Sequence, residues 1–86
     1  MPRVSEFYGI AIYLYYADHN PPHFHAVYAG QQVEIAIRTG ETLVGTLPKR
    51  ALRLVREWTE AYRDELLVNW DLAREGRPLN RIPPLP

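Results

Sequence analysis

The hydrophobic rhythm of the chain changes near residue 48, from a period of two to a period near 3.6. Over residues 9–17, Ile10, Ile12, Leu14 and Tyr16 alternate with Ala11, Tyr13 and Tyr15, and isoleucine and tyrosine both suit a pleated surface. The run stops at Asp18-His19-Asn20-Pro21-Pro22, because proline has no N–H to give to a strand ladder. A second strand over about 23–28 sends Phe24, Ala26 and Tyr28 to one face and His23, His25 and Val27 to the other. Ala29-Gly30 then supplies a hairpin turn. A third strand over 32–38 turns Val33, Ile35 and Ile37 inward and Glu34, Ala36 and Arg38 outward. Thr39-Gly40 turns the chain again, and residues 42–47 read as a short fourth strand. Connections this short predict an antiparallel meander over about 9–47, with MPRVSEF as a polar lead-in.

From Pro48 onward Ala51, Val55, Trp58, Tyr62, Leu66, Trp70 and Ala73 recur every three or four residues, one apolar stripe along a helical region over about 48–75. Gly76 and Pro78 end it, and a proline-rich tail over 77–86 reads as extended. A single helix over that region would run about 42 Å, whereas a seven-residue strand spans only about 23 Å. Either the helix breaks near 59–64, or its far end packs on another chain and the protein is a homodimer through the helical region. Arg53, Arg56, Asp64 and Glu65 stand where two helix dipoles would favour them, but no glycine or proline marks a break and the stripe keeps its phase. The predicted fold is α+β: an antiparallel three- or four-stranded meander followed by one long, kinked helix or two helices packed on one face.

Composition narrows the classes. Eighty-six residues make one small domain with a thin core, for which a partner or a second copy would help. Ten basic residues balance ten acidic ones, so any attraction to nucleic acid has to be local. There is no cysteine, which removes disulfides, thiol nucleophiles and thiolate zinc sites and suits a reducing cytoplasm. The longest apolar run, GIAIYLYYA, is too short to span a bilayer, and no membrane role is expected.

The chemistry concentrates in DHNPPHFH, residues 18–25, which holds all three histidines. If the helices cover the Ile10/Ile12/Leu14 face, the opposite face carries Tyr13, Tyr15, His23, His25, Glu34 and Arg38. Residues two apart on a strand project side by side, so His23 and His25 can give two imidazoles to one zinc ion, with Asp18, His19 or Glu34 as a third ligand and an open position for water. Without a metal, one imidazole can take a proton while another gives one; His23 and His25 are then the catalytic pair, and His19 and Asp18 support them. Arg38 would steady a phosphate and Tyr13 and Tyr15 would stack bases, the equipment of a small ribonuclease. The same block also reads as a stiff turn capped by Asp18, with the histidines half-exposed and idle.

Other features are softer. Lys49, Arg50, Arg53, Arg56 and Arg63 form a basic cluster; Arg53 and Arg56 could grip phosphates or an acidic partner, or could sit in i,i+4 pairs with Glu57 and Glu60. Trp58, Tyr62 and Trp70 lie on the apolar stripe and read as core, with Trp70 an interface anchor if the helix overhangs. The PPLP tail reads as a frayed terminus or a polyproline ligand.

Five segments together resemble the bacterial family catalogued as domain of unknown function 4160: MPRVSEFYGIAIYLYY, DHNPPHFHAVYAG, the RTGE turn, LPKRALRLVREW and ELLVNWDLAREG. The resemblance runs over nearly the whole chain, and DHNPPHFH is its most specific piece. It implies a small, stand-alone, cytoplasmic bacterial protein, often encoded in a two-gene module of the toxin–antitoxin kind, and it assigns no reaction and no role to His23 or His25. The function expected on these grounds is a toxin–antitoxin-like module that contacts RNA or a cognate antitoxin-like protein through the His/Tyr/Arg sheet face, as a ribonuclease in its catalytic form. Two alternatives stand beside it: a non-enzymatic DNA- or protein-binding regulator using the Arg-rich helix, and a metal-dependent hydrolase with zinc at His23 and His25.

Overall fold

A computed structural model describes residues 2–16 and 19–86. Five strands come first: β1 (Arg3–Phe7), β2 (Ile10–Tyr13), β3 (His23–Tyr28), β4 (Gln31–Ala36) and β5 (Thr42–Gly45). Two helices follow, α1 (Lys49–Ala61) and α2 (Arg63–Arg74). The strands pair in sequence order, all antiparallel, so the α+β meander is present with one strand more than expected. The additional strand is β1, inside the segment read as a polar lead-in. Its Val4 and Phe7 are buried, and Tyr8-Gly9 turns it into β2 with φ of 51° and 78°. Ala29-Gly30 does the same between β3 and β4, with φ of 49° and 80°. Two successive residues at positive φ are the geometry that matches the right-handed twist of a two-residue hairpin.

Alternation sorts the residues as the pattern implies. Ile10, Ile12, Leu14, Phe24, Ala26, Val33, Ile35 and Ile37 all face the core. The helices supply the other wall through Ala51, Val55, Trp58, Leu66 and Trp70. Trp58 sits at its centre, fully buried, with its ring centroid 5.4 Å from Phe7 and 5.7 Å from Phe24. Its indole N–H donates to the Pro83 carbonyl at 2.9 Å, so the one polar atom of this large side chain is satisfied without leaving the core.

The helical region bends at Tyr62, whose φ of −123° and ψ of 28° leave the helical well. The backbone still bonds through the bend, Tyr62 N–H to Trp58 O and Leu66 N–H to Tyr62 O, which is why the stripe keeps its phase without a glycine or proline. Asp64 and Glu65 occupy the first turn of α2 as the dipole favours, while no basic residue occupies the last turn of α1. The bend keeps both helices on the sheet, so Trp70 is buried within its own chain, 3% exposed, and is not the overhanging anchor that a straight helix would make it.

The tail is docked. Asn69, fully buried, donates through Nδ2 to Asn80 O at 2.8 Å and accepts from Asn80 N–H at 2.9 Å. Ile82 N–H bonds Val4 O on β1, Ile82 itself is buried, and Tyr8 Oη donates to Pro86 O. An extended, proline-rich segment is cheap to order, and here it closes the β1 side of the core instead of fraying. No helix among the described residues is long and apolar enough to cross a membrane.

Candidate metal centre

β3 carries the two central imidazoles. His23 pairs with Ala36 of β4, and His25 pairs with Tyr13 of β2 on one side and Glu34 of β4 on the other. Paired residues share a face, so Tyr13, His25, Glu34 and Val44 form one cross-strand row on the side of the sheet away from Phe24 and Ala26. The side expected for His23 and His25 is therefore the side they occupy. Their exposure differs from the expectation, because the rings are only 5% and 8% exposed. Aromatic rings among the described residues lie against them. Tyr15 meets His25 edge-on with centroids 4.3 Å apart, Trp70 of α2 lies 5.3 Å from His23, and the His19 ring lies 6.5 Å from His23.

One ring nitrogen of His23, one of His25 and a carboxylate oxygen of Glu34 all lie within 4.8 Å of one another. The spacing is close to what an ion imposes. Zinc sits about 2.0–2.1 Å from its nitrogen and oxygen ligands, so a tetrahedral site separates ligand atoms by about 3.4 Å and puts two imidazole centroids about 5.3 Å apart. The His23 Nε2–Glu34 Oε1 distance is 3.6 Å, and the His23 and His25 centroids are 5.3 Å apart.

Hydrogen bonds fix how the rings present themselves. His23 Nδ1 lies 2.7 Å from the Pro21 carbonyl oxygen, which can only accept, so Nδ1 carries the proton. In the neutral ring Nε2 then turns a lone pair toward the Glu34 carboxylate, two acceptors facing each other. A carbonyl behind one ring nitrogen, with the other nitrogen turned to a carboxylate, is an arrangement that metal-binding histidines also show. His25 Nδ1 lies 2.9 Å from the side-chain amide of Gln32. With the amide nitrogen toward the ring, Nδ1 accepts; with the amide turned over, its oxygen accepts the Nδ1 proton and Nε2 is left for a metal. Gln32 is exposed and its amide is free to turn. Glu34 keeps 28% of its side chain exposed, which leaves a solvent-side approach to the centre.

The remaining candidates divide. Asp18 lies outside the described residues. His19 is exposed and beside His23. Tyr13 is half-buried in the His25 row, while Tyr15 is committed to the edge of His25. Arg38 is exposed in the turn after β4. Arg53 and Arg56 are exposed on α1, which packs on the other face of the sheet, so they do not join the histidines. Arg56 reaches Thr42 Oγ1 at 3.5 Å, and Glu60 is held by Arg63, whose Nε also donates to Ile37 O. Glu34 as the fixed partner of His25, and Gln32 behind it, were within reach of the sequence: counting outward from a two-residue Ala29-Gly30 turn pairs 25 with 34.

No curated protein and no solved structure matches the chain. A family model described as a domain of unknown function, DUF4160, matches residues 9–71, which takes in the sheet from β2 onward, all three histidines, Glu34 and most of both helices. That match covers well over half of the chain, and the protein belongs to the DUF4160 family.

Proposed function

We propose that the protein is a hydrolase built round one zinc-class divalent ion held by His23, His25 and Glu34. The observation that carries this reading is the pair of spacings, 3.6 Å from His23 Nε2 to Glu34 Oε1 and 5.3 Å between the imidazole centroids, both close to the tetrahedral values. Two neutral imidazoles and one carboxylate leave the ion a net positive charge and an open position. Water bound there ionises at about pH 7 and becomes a nucleophile for a carbonyl or phosphoryl centre. Cleavage of RNA by the imidazoles alone is less well supported, since that chemistry needs both rings in proton exchange with substrate and they are 5% and 8% exposed.

The test is metal uptake followed by turnover. Purified protein stripped with chelator and titrated with zinc binds one ion per chain; His23→Ala, His25→Ala and Glu34→Gln each bind at least tenfold more weakly. The loaded protein cleaves at least one member of a panel of chromogenic carboxylic and phosphoric esters. A chain that takes up none of zinc, cobalt, manganese or iron removes the reading.

The interaction alternative keeps one observation of its own. Lys49, Arg53 and Arg56 line a depression on α1 together with Leu52, Glu57 and Glu60, a surface of mixed charge with an apolar patch that suits a protein partner segment. There, Arg53→Glu would weaken partner capture while the histidine changes leave it intact.

A further inference from the structure

We propose that His19 is a fourth, displaceable ligand of the ion held by His23, His25 and Glu34, and that its departure opens the position taken by water or substrate. The inference rests on the metal-centre reading above. Its starting point is a difference between the three histidines. His23 and His25 are buried and lie within β3, His23 paired with β4 and His25 paired with both β2 and β4. His19 is exposed and lies in the connection between β2 and β3, outside any strand. Its ring centroid is 6.5 Å from that of His23, about 1.2 Å more than two imidazoles on one tetrahedral zinc show. The two ring planes are 64° apart, so the rings do not stack and a nitrogen of each can point into common space. His19 stands outside the group of ligand atoms within 4.8 Å of one another, and on a shared ion its ring would draw toward His23 by about that difference.

The chemistry of the donor set gives this movement a consequence. Three imidazoles and a carboxylate complete a tetrahedron and exclude water, the arrangement of a closed zinc site; two imidazoles and a carboxylate leave the fourth corner for a reacting oxygen. The exchange balances simply. One zinc–nitrogen bond breaks, one zinc–oxygen bond forms, and the released imidazole lone pair takes a hydrogen bond from water or accepts the proton that the bound water gives up. The residue best suited to leave is the one not anchored by a strand, and that residue is His19.

The experiment uses the full chain loaded with zinc or cobalt. X-ray absorption at the metal edge counts imidazoles: three are expected in the wild type and two in His19→Ala. Zinc affinity falls at least tenfold in His19→Ala, and acetate, as a probe of the open corner, binds the cobalt form more tightly than in the wild type. His19→Cys restores the affinity and brings a thiolate-to-cobalt charge-transfer band, unambiguous in a chain that contains no cysteine of its own. Two imidazoles in the wild type, with the affinity of His19→Ala unchanged and no such band in His19→Cys, overturn the proposal and leave the three-ligand centre standing. A wild type that takes up no metal overturns both.

Discussion

His25 and Glu34 face each other as register partners across β3 and β4. Their Cβ atoms are therefore about 5 Å apart whatever their side chains do. The backbone ladder, and behind it the Ala29-Gly30 turn, sets the base and the acid of the candidate centre side by side. A metal that bridges them binds the folded sheet and not the unfolded chain. Zinc at a hundred times its dissociation constant then adds about 2.7 kcal/mol, on the order of ten degrees in Tm for a domain of this size. Thermal melts with zinc and with chelator measure the difference. In Glu34→Gln, which binds zinc at least tenfold more weakly, the difference falls to about half or less at the same zinc concentration.

The outer shell makes a signed prediction. Gln32 stands behind His25 Nδ1 at 2.9 Å and is exposed, so replacing it leaves the core alone. Gln32→Glu puts a carboxylate behind the imidazole, holds the Nδ1 proton, and raises zinc affinity; Gln32→Leu removes the acceptor and lowers it by about tenfold. Competition titrations against a chromophoric chelator report both. Equal affinities in the two variants would mean that this contact does nothing for the ring.

Trp70 is a reporter placed by the fold. Its ring is 5.3 Å from His23, whereas Trp58 sits in the core among Phe7, Phe24 and Tyr62. Cobalt or copper, which quench nearby indoles, should remove most of the Trp70 emission and less of that of Trp58. Trp70→Phe then abolishes most of the quenching. Quenching that survives intact in Trp70→Phe would move the ion away from His23.

The docked tail contributes stability separately from the centre. Asn69→Ala leaves the Asn80 N–H and C=O without their partner and costs about 2–3 kcal/mol. Chemical denaturation measures the loss, and trypsin should cut sooner after Arg81, which is followed by Ile82. Zinc affinity stays at the wild-type value, because the side chain of Asn69 is spent on the Asn80 backbone and not on a ligand of the centre.

Much of this molecule can be read from its residues, and the gaps have physical causes. Alternation placed Ile10, Ile12 and Leu14 opposite Tyr13, and Phe24 opposite His25, because one face of an antiparallel sheet must be dry. It could not say how well the far face is covered. Tyr15, Trp70 and His19 lie against His23 and His25, contacts that no local pattern encodes. β1 is faint in the pattern because Ser5 interrupts a short run, although Ser5 is itself buried. The bend at Tyr62 carries no breaker residue and keeps its hydrogen bonds, so the balance between one helix and two was decided by fit to the sheet. Tail docking rests on Asn69, a polar residue within the α2 segment whose partner is the backbone of residue 80.

The two margins of the sheet are unequal. The tail is hydrogen-bonded to β1 at Val4, while β5 is the outermost strand at the other margin, with all four of its residues exposed. A strand added at β5 meets exposed residues, whereas one added at β1 must first contend with the tail at Val4. The unequal margins make β5 the side on which a neighbouring chain pairs more readily.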